Sequence, residues 1–365
     1  CAFSHYLIYG LLLRERELRQ FASVDMGNIY HDVLEHFAKR VEASEYTWFD
    51  APKEQQEIWV EESMEDAIAG YRAAEVFSDA RNRYLLERMK NTVRRTVWAL
   101  LTQIRKGKFT PNGFEVSFSR ASDLDAITFT LGEEEKMRLQ GRIDRIDTYE
   151  TEDKIYVKII DYKSGSTHFD LMSLYSGLQL QLVVYRDAVM EMTERRYPGR
   201  EVVPAGILYY NIADPLVDKN GKHGGDSPED IDREILKQLR MNGLVNSELE
   251  AIRHLDHTIE KESDIIPVVL KDGEVQAERS QVASGARFEK LRQFVHRKVA
   301  SAGREILDGA AEVGPFKRGD RTACDYCPFH PVCGFDKKTA GYEYRKLRNR
   351  KTEEIWEEVC QEIDQ

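Results

Sequence analysis

The sequence predicts a mixed α/β protein in which a small central sheet is flanked by helices. Three observations carry that class. Apolar residues recur at helical spacing through the first third of the chain, strand-like alternation crowds residues 113–162, and a helix followed by a further strand occupies 178–212. Helices, sheet, helix and strand in that order suit layers packed on one sheet. The expected divisions are a helical part (1–110), a sheet core (111–212), an insertion or loop region (213–280) and C-terminal helices with a cysteine cluster (281–365).

Each element has its own signal. Residues 3–18 (FSHYLIYGLLLREREL) run apolar and then charged, as one helix. Met26, Tyr30, Val33, Leu34, Phe37 and Val41 mark a second, and 52–76 and 78–106 continue the pattern with many Glu, Arg and Ala. GFEVSFSR (113–120) and AITFTLG (126–132) alternate, as does MRLQGRIDRIDTYE (137–150) over a long stretch. KIYVKIIDY (154–162) follows the turn-like Thr151-Glu152-Asp153, so these last two strands form a hairpin. A helix is expected through 178–192, a strand through 205–212, a polar Gly-rich loop at 214–230, a helix at 281–309, and a last helix in NRKTEEIWEEVCQEI. No internal repeat stands out.

Composition excludes several classes. The chain has 365 residues, 41% hydrophobic and 32% charged, enough to bury a sizeable core. No apolar run approaches the roughly 20 residues needed to span a bilayer, and no signal peptide opens the chain. The first residue is Cys1 rather than Met, which points to part of a longer protein. A net charge of −11 argues against the whole surface being a nucleic-acid platform. The charge is uneven, however: Lys317–Lys351 holds ten Lys or Arg against four acids. That segment, with Arg14, Arg16 and Arg19, is the candidate phosphate-contacting surface.

The stretch IIDYKSG (159–165) carries the chemistry. Side chains two apart on a strand share a face, so Asp161 and Lys163 project together at its exit. An ordinary ion pair would look the same. The preceding strand carries Gly141-Arg142-Ile143-Asp144, and hairpin pairing brings Asp144 near Asp161. Two close carboxylates resist ionising unless a cation lies between them, and oxygen ligands suit Mg²⁺. Lys163 can then orient or deprotonate a water, or stabilise charge building on phosphorus. Asp147 is out of phase with Asp144 and ranks second. His31, in GNIYHDVLEHF, lies beside the apolar stripe of its helix. Gly27, one turn earlier, leaves room for another element, and Glu35 shares the face of His31. Gln181 and Tyr185 are also i,i+4 and can face the site together. Taken singly, a helical His is most often structural and Gln-x-x-x-Tyr is weak.

Cys324, Cys327 and Cys333 form C-x2-C-x5-C in a stretch that Pro328, Pro331 and Gly334 keep irregular. Five cysteines, unevenly placed, do not suit a disulfide-stapled secreted domain, so a cytoplasmic protein with ligating thiols is expected. His330 could complete a zinc site. Alternatively, Cys1 supplies a fourth thiolate for an iron–sulfur cluster. Cys360 falls with Ile355, Trp356, Val359 and Ile363 on a helix and reads as core.

His31 on a helix, then G-R-I-D, I-I-D-Y-K-S and Q-L-V-V-Y, in that order, resembles the RecB-like branch of the PD-(D/E)xK nucleases. The resemblance implies a restriction-endonuclease-like core, Mg²⁺ (or Mn²⁺) held by His31, Asp144 and Asp161, a catalytic Lys163, and Gln181 with Tyr185 as an accessory motif. The usual Pro-Asp signature is replaced by Gly141-Arg142-Ile143 before Asp144. The opening CAFSHYLIYGLLLRERE is similar to that of the nuclease domains of the AddB family, from bacterial helicase–nuclease complexes. That likeness implies a [4Fe–4S] cluster on Cys1, Cys324, Cys327 and Cys333, acting as a staple across the chain. It also implies single-stranded DNA as substrate, an AddA-like helicase–nuclease partner, and a role in double-strand break repair by recombination in the bacterial cytoplasm. CRISPR-associated RecB-like nucleases share these motifs and four cysteines, but the long helical stretch before Gly113 disfavours them. A binding module without catalysis, stabilised by zinc or iron–sulfur, is the reading from another class. No G-x-x-x-x-G-K-[ST] loop is present, so ATP hydrolysis is not expected of this chain.

Overall fold

The structure, a computed structural model, describes residues 1–14, 16, 21–71, 77, 79–118, 127–217 and 227–364. Arg19 of the basic candidates lies outside them. In chain order the elements begin with α1 (Ala2–His5), which runs into a π-helical turn at Tyr6–Gly10, then α2 (Ser23–Ala43), α3 (Lys53–Gly70) and α4 (Ala80–Lys106). Strands β1 (Thr110–Phe118), β2 (Ile127–Thr130), β3 (Lys136–Leu139), β4 (Gly141–Glu150) and β5 (Lys154–Lys163) follow. After α5 (Leu171–Tyr175) and α6 (Gln181–Arg196) come β6 (Glu201–Asn211), α7 (Pro228–Gln238), β7 (Asn242–Asn246) and α8 (Leu249–Leu255). The remainder is β8 (Leu270–Lys271), β9 (Glu274–Val275), β10 (Val282–Ala283), α9 (Gly285–Leu307), β11 (Phe316–Arg318), β12 (Arg321–Thr322), α10 (His330–Cys333), β13 (Arg345–Lys346) and α11 (Thr352–Asp364). No helix among the described residues is long and apolar enough to cross a membrane.

Six strands form the main sheet in the order β1-β4-β5-β6-β7-β10. The hairpin is present, with Arg145 opposite Ile160 and Glu150 opposite Ile155. β6 runs parallel to β5, so the connection between them must cross over, and α5 and α6 supply that crossover. The sheet is covered on both faces, which is why β5 reads as an almost unbroken apolar run. Tyr156, Ile160 and Tyr162 pack with α2 and α4 through Val33, Leu34, Val97 and Leu101. Ile155, Val157 and Ile159 pack with α6, α9 and α11 through Leu182, Phe288, Phe294 and Trp356.

Several expectations need correction. The helix expected at 3–18 ends at Gly10 as a π turn, and Leu11, Leu12 and Leu13 are exposed coil. The alternating run 137–150 is two strands broken at Gln140. β3 pairs with β2 in a separate ladder, whereas β4 joins the main sheet. Within the polar stretch 214–230, Ser227 caps α7 by accepting from the Asp230 N–H at 3.1 Å, with Pro228 at the first turn. Strand β7 and helices α5 and α8 are too short to carry a periodic signal in the sequence. Cys360 is half-buried rather than core.

Gly243 in β7 faces Leu208 of β6 with φ +155°, and a Cβ there would lie 2.1 Å from the Ile207 carbonyl oxygen. Neighbouring backbone cannot retreat without breaking the ladder. Gly243→Ala should therefore destabilise the protein by at least about 2 kcal/mol, read as a lowered urea midpoint with unchanged m-value.

Candidate metal centre and cysteine cluster

The C-terminal end of β5 gathers the charged candidates. Asp144 and Asp161, neighbours in the hairpin ladder beyond the Arg145–Ile160 pair, are both buried, at 7% and 1% exposure. The Asp144 carboxylate accepts the Tyr162 backbone N–H at 2.6 Å through Oδ2, and Oδ1 lies 3.5 Å from His31 Nδ1. Lys163 Nζ stands 2.5 Å from Asp161 Oδ2 and donates to Gln181 Oε1 at 3.4 Å. Gln181 Nε2 in turn donates to the Tyr185 hydroxyl at 2.7 Å. The structure thus brings together His31, Asp144, Asp161, Lys163, Gln181 and Tyr185.

His31 reaches the sheet because α2 passes close over the exit of β5. A Cβ on Gly27 would sit 3.1 Å from Ser164 Oγ, so a larger side chain would push the helix away. The Tyr162 ring meets the His31 ring edge-on, with centroids 5.9 Å apart. Glu35 pairs with Lys39 along the same helix instead of entering the site.

Sequence reasoning missed one member. Glu115 of β1 lies 3.2 Å from His31 Nδ1 and 2.5 Å from Arg142 Nε. Its neighbours Phe114 and Val116 pair with Arg145 and Ile143, which puts Glu115 beside Asp144 across the ladder. In sequence it is merely the polar partner in an alternating strand. Its φ of +48° is unusual for a residue with a Cβ, and such conformations gather at functional sites. Donor atoms of His31, Glu115 and Asp144 lie within 4.8 Å of one another. One imidazole and two carboxylates, with Asp161 adjacent, fit a hard or borderline divalent cation. Asp147 takes no part. It points to the other face, paired with Arg145 and Lys158.

The cluster's electrostatics favour a cation. Burial, reinforced by the Asp161 charge, pushes the Asp144 carboxyl up to about 7. Asp161 is raised as well, again chiefly by burial, with Lys163 opposing. For His31, burial disfavours the imidazolium most strongly, yet the Glu115 hydrogen bond and the Asp144 charge outweigh it and its pKa rises. Bringing these acids together out of water is a cost that a divalent ion between them would offset.

Elsewhere in the molecule, α1 packs against the cysteine loop. The Phe3 N–H donates to the Glu312 carbonyl at 3.2 Å, and Cys327 Sγ lies 3.9 Å from Ser4 Oγ. Cys1 Sγ lies 3.9 Å from the Glu312 carbonyl oxygen, and the Cys324 thiol is raised by burial and then by Cys327 and Cys333. The chain's first residue and its three late cysteines therefore share one neighbourhood, with every thiol free. His330 is exposed and joins no ligand group among the described residues. Two of the basic candidates are already committed: Arg318 binds Asp170 and Ser173, and Arg350 binds Glu358. Arg14, Arg16, Arg321, Lys337, Lys338, Arg345, Lys346 and Arg348 are exposed.

A pH dependence follows from the raised carboxyl. With a folded pKa near 7 against an unfolded value near 3.8, Asp144 contributes stability that is present below pH 4 and lost as pH rises toward 7 and beyond. A bound cation would reverse that loss. Mg²⁺ or Mn²⁺ should raise Tm little at pH 6 and by several degrees at pH 8. Asp144→Asn should raise the cation-free Tm at pH 8 and abolish the response. Equal Tm increments at both pH values would contradict the assignment.

Comparison with known proteins agrees with this geometry. Residues 1–334 match the family described as the PD-(D/E)XK nuclease superfamily. The chain is similar to proteins named as the B-type component of an ATP-dependent helicase/deoxyribonuclease. It is 37% identical to that of Alkaliphilus oremlandii, over 99% of this chain and 31% of the relative. Identity is 38% to that of Pelotomaculum thermopropionicum over 98% and 31%, and 31% to that of Clostridium kluyveri over 100% and 32%. The chain thus spans about a third of the length of these relatives. With the motif-bearing side chains converging at one sheet end, the match over most of the sequence shows that this chain belongs to the PD-(D/E)XK nuclease superfamily.

Proposed function

We propose that this chain is the nuclease part of a helicase–nuclease protein of the AddB type, hydrolysing the backbone of single-stranded DNA. The observation that carries the reading is the meeting of His31, Glu115, Asp144, Asp161 and Lys163 at one end of the sheet. His31, Glu115 and Asp144, with Asp161, would hold Mg²⁺ or Mn²⁺, which supplies Lewis acidity toward a phosphodiester and a water. Lys163 is held beside the cluster by Asp161 and Gln181, where its ammonium can orient the attacking water and offset charge building on phosphorus. Gln181 fixes Lys163 on one side and the Tyr185 hydroxyl on the other. Arg142, which is exposed and paired with Glu115, is placed to meet backbone phosphate.

For the cysteines, the reading is a [4Fe–4S] cluster on Cys1, Cys324, Cys327 and Cys333. Ser4, three residues from Cys1, meets Cys327 Sγ at 3.9 Å, which favours Cys1 as the fourth ligand and the all-cysteine set that suits such a cluster, while His330 is exposed. Such a clip closes a loop of more than 300 residues and would stabilise by constraining the unfolded chain. The names of the relatives favour this family over CRISPR-associated nucleases and suggest an AddA-like partner that delivers unwound strands. Break repair by recombination in the cytoplasm is the biological setting that this reading implies.

The test is Mn²⁺-dependent degradation of end-labelled single-stranded DNA. Lys163→Ala should lower the rate by about 10²–10³-fold while leaving Tm within about 2 °C of the parent. No Mn²⁺-dependent degradation by the parent would return the chain to the class of binding modules, and an unchanged rate in Lys163→Ala would overturn the role given to that lysine. For the cysteines, Cys324→Ser should remove iron and the broad visible absorbance together, with a stability loss of up to roughly 5 kcal/mol. A colourless parent protein containing zinc would overturn the iron–sulfur reading.

A further inference from the structure

Behind the acidic cluster, on the opposite face of the same two strands, lies a second set of charges. Arg145, Asp147 and Lys158 are 1%, 0% and 8% exposed. Arg145 grips Asp147 with two bonds, Nε to Oδ1 at 2.6 Å and Nη2 to Oδ2 at 2.8 Å. Lys158 Nζ lies 2.7 Å from Asp147 Oδ2, over the Phe109 ring at 5.2 Å. The surroundings are apolar. Leu34, Phe37, Trp48 and Leu101 line a 20 Å³ cavity against Arg145 and Tyr162.

Stability does not account for such a triad. Burying each ion costs several kcal/mol, and apolar replacements of similar volume are often neutral or stabilising. Its location suggests another role. Arg145 adjoins Asp144 in the chain, and its Nη1 donates to the Tyr162 hydroxyl at 3.5 Å. Tyr162 then gives its backbone N–H to Asp144 Oδ2 and sets its ring against His31. The triad is thereby joined through one residue to two of the three clustered donors.

We propose that the buried Arg145–Asp147–Lys158 triad, acting through Tyr162, is a positioning device that holds Asp144 and His31 in cation-binding geometry. This rests on reading the cluster as a cation site, and not on DNA cleavage. Charge and position predict opposite signs. Two cations and one carboxylate leave a net positive charge behind the site, which by Coulomb's law alone weakens cation binding. Removing that charge would tighten binding, whereas losing position loosens it.

The experiment titrates Mn²⁺ calorimetrically into the parent, the combined variant Arg145→Met, Asp147→Leu, Lys158→Met, and Tyr162→Phe. The expected result is Mn²⁺ affinity lowered about 10–100-fold in the combined variant, with Tm equal to or above the parent's, and a smaller loss in Tyr162→Phe. Unchanged or tighter binding in the folded combined variant overturns the proposal. If that variant does not fold, Tyr162→Phe decides at parental Tm: weaker Mn²⁺ binding supports the device, and unchanged binding overturns it. A parent that binds Mn²⁺ without cutting DNA removes the nuclease reading alone, with the affinities still deciding this one. A parent that binds no Mn²⁺ removes both.

Discussion

Pairing of Arg145 with Ile160 in the β4–β5 hairpin puts Asp144 and Asp161 side by side and assigns every residue of both strands to one of two faces. Because the strand period is two, a slip of one residue in either strand would carry its carboxylate to the opposite face, replacing Asp144 by Arg145 or Asp161 by Tyr162 at the site. The register is held from both sides. Ile155, Val157 and Ile159 are embedded in one core, Tyr156, Ile160 and Tyr162 in the other. The apolar faces that lock the strands therefore also aim the carboxylates.

Two neighbours complete the centre, and each depends on a local feature of the backbone. His31 arrives because Gly27 lets α2 lie against Ser164. Glu115 arrives because β1 pairs with β4 and tolerates a left-handed residue, at a cost on the order of 1–3 kcal/mol. Three buried or half-buried acids and an imidazole are unfavourable company for one another, and the raised carboxyls express that. Such a cluster is more intelligible as a binding site than as a support for the fold.

The chain's last third is tied to this end of the sheet by specific contacts. Arg318 of β11 holds Asp170, the residue that caps α5, and the α5 residue Tyr175 donates to Glu362 of α11 at 2.9 Å. Those contacts join the cysteine-bearing segment to the crossover that follows Lys163 and leads to Gln181. Ser4, against Cys327 Sγ, brings the start of the chain to the same segment.

Local signals made much of this legible from residues alone. The hairpin, the shared face of Asp161 and Lys163, and the i,i+4 pair Gln181 and Tyr185 depend on periods of two and 3.6, which short stretches carry in full. His31 was legible only through the order of motifs, because one imidazole beside an apolar stripe has no distinctive pattern. Glu115 was not legible, since it becomes a site residue only when a strand some thirty positions upstream pairs with β4. The break at Gln140 has no local signature for a similar reason: alternation continues across it, and only strand pairing assigns the halves to different ladders. By itself, the sequence determined the class of fold, the central hairpin and the chemistry of the donors. The tertiary structure decided which acids meet, which face Asp147 takes and where Cys1 lies, because those outcomes rest on contacts between segments far apart in the chain.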